Sequence, residues 1–231
     1  MKKLGLIGGI GPESTLLYYR KFVYEAHRLM GDTFFPELTI ESLNVYDVLA
    51  LCDKKDHDGL VSYLMRGIGN LVAAGAEVVA LTGNTPHIVF DELQKRSDVP
   101  LVSIVEAARD EARRRHFSRV GLLGTRFTME ADFFKKPFRE SHIEVVTPTA
   151  SEIEFIAEKI STELEKGVVR ELTRTIFLGI VERMKQEQGI EAIVLGCTEL
   201  PLLFEGVSLP VESLDTLEIH IGTLIKTVMA S

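Results

Sequence analysis

Residues 4–8, LGLIG, form a short apolar segment that recurs as VGLLG at residues 120–124. A second apolar segment, VVAL at residues 78–81, recurs as AIVL at residues 192–195. The two recurrences share an offset of about 115 residues. Nearly continuous apolar character is typical of strands that are buried on both faces of a parallel sheet. The sequence therefore predicts two similar halves, each built on a parallel sheet.

Short apolar segments alternate with longer segments of helical periodicity along the whole chain. This alternation is typical of βαβ units. We therefore predict an α/β fold with two pseudo-symmetric domains, each a mainly parallel sheet flanked by helices. We expect the first domain at residues 1–105 plus 209–231 and the second at residues 106–208. The tail should contribute a strand and a final helix that crosses back to the first domain.

The predicted elements follow from the same patterns. Strands are expected at residues 4–8, 38–43, 78–81, 101–103, 120–124, 143–146, 193–195 and 209–211. Helices are expected at residues 12–30, 59–74, 87–95, 104–116, 129–141, 152–165 and 168–186.

Composition excludes several classes of function. The 231 residues carry a net charge of −8, which argues against a broad nucleic-acid surface because such surfaces are basic. The two cysteines are too few for a disulfide framework or a thiolate zinc site, and they fit a reducing compartment. No segment approaches the roughly 18 apolar residues that a membrane span needs. We therefore expect a cytoplasmic protein without nucleic-acid or membrane partners.

Glycines and small polar residues follow four of the predicted strands, at residues 8–9, 83–85, 124–125 and 196–198. In parallel sheets, ligands bind beyond the carboxyl ends of the strands. We therefore predict that the four loops form an active site in a cleft between the domains. The first loop can hold an anion with backbone N–H groups, but Ser14 breaks the dinucleotide pattern G-x-G-x-x-G.

Cys197 follows an apolar strand and precedes a short predicted helix. The N-terminus of a helix lowers the pKa of a thiol, and the thiolate is the reactive form. We therefore predict a lowered pKa and high reactivity for Cys197, although a cysteine can also be a small buried apolar residue. Cys52 has no such setting and is predicted to be structural. Asn84 and Thr85 suit either a carboxylate site or a helix cap.

Three motifs together resemble the aspartate/glutamate racemase family: GGIGP at residues 8–12, NTPH at 84–87 and GCTEL at 196–200. The resemblance covers the whole chain. It implies an isomerase that acts at the α-carbon of a small amino or dicarboxylic acid, without pyridoxal phosphate or a metal. It also implies one cysteine in each domain. One cysteine removes the α-proton, and the other delivers a proton to the opposite face.

By this resemblance, Cys197 matches the second cysteine, whereas Gly83 stands at the position of the first. Thr82 is the hydroxyl residue next to that position. Glu199 and His220 are the candidates that would support Cys197. The resemblance and the strand-end loops together give the candidate carboxylate-binding residues, which are Gly8, Gly9, Asn84, Thr85, Thr125 and Thr198.

Glycine cannot carry a proton, so the resemblance implies weak or one-sided racemisation in this chain. Two alternatives stay open at this point: a one-cysteine decarboxylase of the arylmalonate type, and a non-catalytic protein that binds small acids. Side-chain specificity is also open, with Arg20 and Arg126 as candidate partners for a second carboxylate. The sequence does not determine the oligomeric state, and a homodimer is one option.

Overall fold

The computed structural model describes residues 1–230, which form two compact units. The first unit comprises Met1–Ile104 together with the residues from His220 onward, and the second comprises Val105–Ile219. Within residues 1–230, no helix is both long and apolar enough to cross a membrane.

The first unit contains a parallel four-stranded sheet in the order β2-β1-β3-β4. Its central strand β1 is buried at every residue, as the apolar segment LGLIG predicts. The helices begin with α1, where Pro12 occupies the first turn and has no N–H that would be left unpaired. The strands are β1 Leu4–Gly8, β2 Leu38–Ser42, β3 Val78–Leu81 and β4 Leu101–Val102. The helices are α1 Pro12–Met30, α2 Val45–Asp53, α3 His57–Ala73, a 3-10 helix Thr85–Val89 and α4 Phe90–Arg96.

The second unit repeats this arrangement with a parallel sheet in the order β6-β5-β7-β8. Its strands are β5 Arg119–Gly124, β6 Glu144–Val146, β7 Ala192–Gly196 and β8 Glu212–Asp215. The helices from the junction of the units onward are α5 Ile104–Arg114, α6 Arg126–Glu130, α7 Asp132–Glu140, α8 Ala150–Thr162, a 3-10 helix Leu164–Lys166, α9 Glu171–Gln188, α10 Leu200–Leu203 and α11 Thr216–Met229.

The predicted α/β fold with two similar parallel sheets is confirmed, and the repeated segments are the two central strand pairs, β1–β3 and β5–β7. The tail differs from the expectation. Its strand lies at Glu212–Asp215 rather than at residues 209–211, and it pairs with β7 in the second unit. Pro210 has no N–H for a strand ladder, and the flanking Leu209 and Val211 pack against the core of the second unit instead.

Candidate functional site

The loop after β1 requires glycine for a close backbone approach. Gly9 has a φ of 76°, and a Cβ atom built on it would lie 2.1 Å from the carbonyl oxygen of Leu43. The N–H of Gly9 donates a hydrogen bond of 2.9 Å to Thr15 Oγ1 in α1. The loop is therefore held against the loop that follows β2, at the carboxyl ends of both strands.

Thr82 lies at the end of β3, and its hydroxyl is engaged inside the first unit. The side chain is fully buried, and its Oγ1 donates a hydrogen bond of 3.1 Å to the carbonyl of Ile7. The same Oγ1 lies 3.2 Å from Thr15 Oγ1. These contacts join the ends of β1 and β3, which gives the Thr82 hydroxyl a structural use.

Gly83 and Asn84 form the turn between β3 and the 3-10 helix. Gly83 does not have a positive φ, but a Cβ atom on it would lie 2.9 Å from the carbonyl oxygen of Ile10. Asn84 is buried, and its side chain makes no capping bond to the 3-10 helix that follows. The capping alternative for Asn84 therefore does not describe what its side chain does here.

His87, which was not among the predicted site residues, is buried in contact with this turn. Its Nδ1 lies 3.0 Å from the carbonyl oxygen of Gly83, and its Nε2 accepts a bond of 3.3 Å from the N–H of Ile104. Burial lowers the pKa of His87 to about 4, against the partial opposing effect of the Gly83 carbonyl. The ring is therefore neutral at physiological pH. In the sequence, only its position in the motif NTPH, three residues after Asn84, could have indicated this residue.

His220, the candidate support for Cys197, uses both ring nitrogens within the first unit. Nδ1 lies 2.7 Å from the hydroxyl of Tyr18, and Nε2 lies 3.0 Å from the carbonyl oxygen of Val102. Because a carbonyl only accepts, Nε2 carries the proton and Nδ1 accepts from Tyr18. Burial, reinforced by the neighbouring His87, lowers the pKa of His220 to about 3. Supporting a thiol would require the ring to give up one of these bonds.

The second unit presents Thr125 and the segment 197–199 at the ends of β5 and β7. Thr125 caps α6, since its side chain accepts a bond of 3.3 Å from the N–H of Thr128. Cys197 is 7% exposed and belongs to the apolar core cluster of this unit. Its Sγ donates to Glu199 Oε2 at 2.9 Å, and Thr198 Oγ1 donates to the same oxygen at 2.9 Å.

The predicted lowering of the Cys197 pKa is wrong. Burial, followed by the charge of Glu199 and the hydrogen bond to it, raises the pKa of the thiol well above its usual value. The backbone of Glu199 acts in the opposite direction but is outweighed. The helix effect is weak because α10 begins only at Leu200 and has four residues. Burial and the charge of Asp53 also raise the pKa of Cys52, to about 11.

Glu165 adds a second acidic group to this region of the second unit. It lies in the 3-10 helix Leu164–Lys166. Burial and the nearby charge of Glu199 raise its pKa, while Lys166 lowers it. Arg126, a candidate partner for a substrate carboxylate, lies 3.8 Å from Glu130 in an exposed ion pair. Glu199 and Glu165 therefore make the charge directly around Cys197 negative.

A cavity of about 820 Å³ in the second unit lies away from these residues. It adjoins Ser118 and Ile143, which immediately precede β5 and β6, so it is at the amino ends of these strands. Ligands of parallel sheets bind at the opposite, carboxyl ends. This cavity is therefore not the candidate site.

Comparison with known proteins shows which family this chain resembles. A family model described as Asp/Glu/Hydantoin racemase matches residues 7–224. The chain is 22% identical over 231 residues to the broad specificity amino-acid racemase RacX of Bacillus subtilis strain 168, and the alignment covers 98% of each chain. The crystal structure of an aspartate racemase homologue from Pyrococcus horikoshii OT3 shares 39% identity and a TM-score of 0.86 over 100% of both chains.

The fold is also that of the Picrophilus torridus aspartate racemase, at 20% identity and a TM-score of 0.78 over 99% of this chain and 94% of that one. The family match spans most of the sequence, and the relatives of named activity are amino-acid racemases, which are isomerases. The chain therefore belongs to the Asp/Glu/hydantoin racemase family.

Proposed function

We propose that this protein is a cofactor-independent amino-acid racemase in which Cys197 exchanges a proton with the α-carbon of a small amino or dicarboxylic acid. The observation that carries the proposal is the contact of 2.9 Å between Cys197 Sγ and Glu199 Oε2. A buried thiol that points its proton at a buried carboxylate has a proton acceptor within direct reach. The family membership of the chain supports the same chemistry.

Proton transfer then has two steps on the face of the substrate that Cys197 serves. The thiol proton of Cys197 moves to Glu199 Oε2, and the resulting thiolate removes the proton from the α-carbon. The electron pair of the broken C–H bond stays on the substrate as an enolate-like carbanion. The raised pKa of the thiol makes the free thiolate rare, so Glu199 is needed to accept the proton. In the reverse direction, Cys197 returns a proton to the carbanion.

The substrate carboxylate would be held by the strand-end loops. We assign this role to the backbone at Gly8 and Gly9 and to Asn84, Thr85, Thr125 and Thr198. Hydrogen-bond donors fixed in advance around the carboxylate stabilise the charge that develops as the α-proton leaves. The buried Asn84 side chain, which does not cap a helix, supports its part in this assignment.

The opposite face of the substrate lacks an equivalent of Cys197. Gly83 carries no titratable group, and the neighbouring Thr82 hydroxyl donates to the carbonyl of Ile7. We therefore propose that proton exchange is one-sided or that two-way racemisation is slow. The absence of a side chain at Gly83 also favours a second candidate function, decarboxylation of a malonate-type acid followed by protonation from Cys197.

The test is an assay panel of aspartate, glutamate, neutral amino acids and aryl malonates, with chiral analysis of the products. The Cys197→Ala variant should abolish turnover, while the matched Cys52→Ala variant should retain it. Conversion of an amino acid supports the racemase, and carbon dioxide release from a malonate supports the decarboxylase. Binding of a small acid without turnover would show a non-catalytic protein and contradict both enzymes.

A further inference from the structure

His87 joins two backbone segments of the first unit through its two ring nitrogens. A backbone N–H can only donate, so the bond of 3.3 Å from Ile104 makes Nε2 an acceptor. The proton of the neutral ring is therefore on Nδ1, which donates to the carbonyl of Gly83 at 3.0 Å. Since Ile104 begins α5 just beyond β4, His87 ties the turn after β3 to the end of the neighbouring strand.

Further contacts hold the ring and the turn in one arrangement. The imidazole stacks on Phe90, with ring centroids 5.0 Å apart and an interplanar angle of 10°. The carbonyl of Asn84 accepts a bond of 2.9 Å from the backbone N–H of His87. His87 therefore holds two consecutive carbonyls, that of Gly83 with its ring and that of Asn84 with its backbone.

The direction of these carbonyls sets the direction of the N–H groups beside them. In a trans peptide, the C=O and N–H bonds of one peptide unit point in opposite directions, and residues 1–230 contain no cis peptide bond. The carbonyls of Gly83 and Asn84 face His87, so the N–H groups of Asn84 and Thr85 face away from it. These are two of the residues to which the proposed function assigns the substrate carboxylate.

We propose that His87 is a positioning residue for substrate binding, which fixes the peptide group between Gly83 and Asn84 through its Nδ1–H donor. This inference rests on the proposed function for its kinetic consequence. The orientation of the turn can be measured independently of activity. His87 itself touches no substrate and exchanges no proton, since both nitrogens are engaged with the backbone.

The chain offers a matched control in His27 of the same unit. Its Nδ1 lies 2.9 Å from the carbonyl oxygen of Phe34, and its ring stacks on Phe35 with centroids 4.5 Å apart. His27 thus repeats the local chemistry of His87, namely a bond to a backbone carbonyl and a stacked phenyl ring. It lies near the end of α1, away from the turn.

The first arm of the test is NMR of the isotope-labelled full chain without substrate. We compare His87→Gln, His87→Asn, His27→Gln and His27→Asn, because Asn places an N–H donor near the position of Nδ1 and Gln does not. The Asn84 amide, which shares its peptide group with the Gly83 carbonyl, should shift in His87→Gln, with hydrogen exchange at least about tenfold faster. It should stay close to native in His87→Asn and in the two His27 variants. An unchanged Asn84 amide in His87→Gln would overturn the proposal.

The second arm is steady-state kinetics on the substrate found in the assay panel. His87→Gln should raise KM about tenfold with kcat changed less than about threefold, and His87→Asn should recover most of the KM. If the two His87 variants lose activity equally, and in proportion to the fall in their melting temperatures, the role of His87 is merely structural and the inference is refuted. If the native protein turns over no substrate, the proposed function fails, and the NMR arm still decides whether His87 orients the turn.

Discussion

The two buried histidines of the first unit should make the protein sensitive to mild acid. His87 and His220 have pKa values of about 4 and about 3, both lowered chiefly by burial. In the unfolded chain both return to the ordinary value of about 6.5. Below that value the unfolded chain binds protons that the folded chain does not. Folding stability is therefore complete above pH 6.5 and is lost as the pH falls toward the folded-state values.

The magnitude follows from the size of the shifts. One pKa unit corresponds to about 1.4 kcal/mol, so each histidine should cost about 2 kcal/mol by pH 5, or about 4 kcal/mol together. This is a large part of the roughly 5–15 kcal/mol by which folded proteins are stable. Carboxylates with lowered pKa values, such as Glu111 at about 2, contribute only below their ordinary range. Glu165 acts in the opposite direction, because burial raises its pKa and the folded chain holds its proton more readily than the unfolded chain. The contribution of the histidines is therefore measured against a variant that lacks both.

The assay is urea unfolding of the native protein at pH 7, 6 and 5, with the free energy of unfolding taken from each transition. The control is a double variant, His87→Asn with His220→Asn, which should be less stable at pH 7 but nearly independent of pH in this window. A native protein whose free energy of unfolding changes by less than about 0.5 kcal/mol between pH 7 and 5 would refute the description of two neutral, desolvated histidines.

Three further predictions concern the two thiols and the turn at Gly83. Glu199→Gln should accelerate alkylation of Cys197 by iodoacetamide, because it removes a charge that raises the thiol pKa, yet it should slow turnover because the proton acceptor is lost. In the native protein, alkylation of Cys197 and Cys52 should be slow at pH 7 and rise steeply above pH 9, which mass spectrometry measures; rapid labelling of either at pH 7 would contradict the burial effect. Gly83→Cys should raise two-way racemisation by roughly 10²–10⁴-fold. It should also lower the melting temperature, because its Cβ lies 2.9 Å from the carbonyl of Ile10, and unchanged racemisation in a folded variant would contradict the assignment of the first face.

The sequence predicted the fold well because the strands are buried and apolar. The segments at residues 4–8 and 78–81 coincide with β1 and β3, and α1 has the predicted bounds. Helix α2 was missed because it is short and follows β2 after only two residues. The predicted helix at residues 129–141 is two helices that meet at Ala131, which has extended backbone angles. The periodic pattern of apolar residues does not show that the helix is interrupted at Ala131.

The strand-end positions of the candidate residues could be predicted from the sequence, but the electrostatics around them could not. The strand-end rule placed Asn84 and Cys197 correctly at the ends of β3 and β7. The pKa of Cys197 depends on its burial and on the direction of the Glu199 side chain, and a residue pattern gives neither. The contacts of His87 could not be predicted either, because its partners include Ile104, which lies seventeen residues further along the chain.

The most direct test of the central claim is deuterium incorporation at the α-carbon. Each enantiomer of the active amino acid is incubated separately in D₂O with the native protein and with Cys197→Ala, and exchange is followed by ¹H NMR. We expect the native protein to exchange the α-proton of one enantiomer much faster than that of the other, and Cys197→Ala to exchange neither. Equal, rapid exchange of both enantiomers would contradict the one-sided mechanism, and exchange that survives in Cys197→Ala would contradict the role of this thiol.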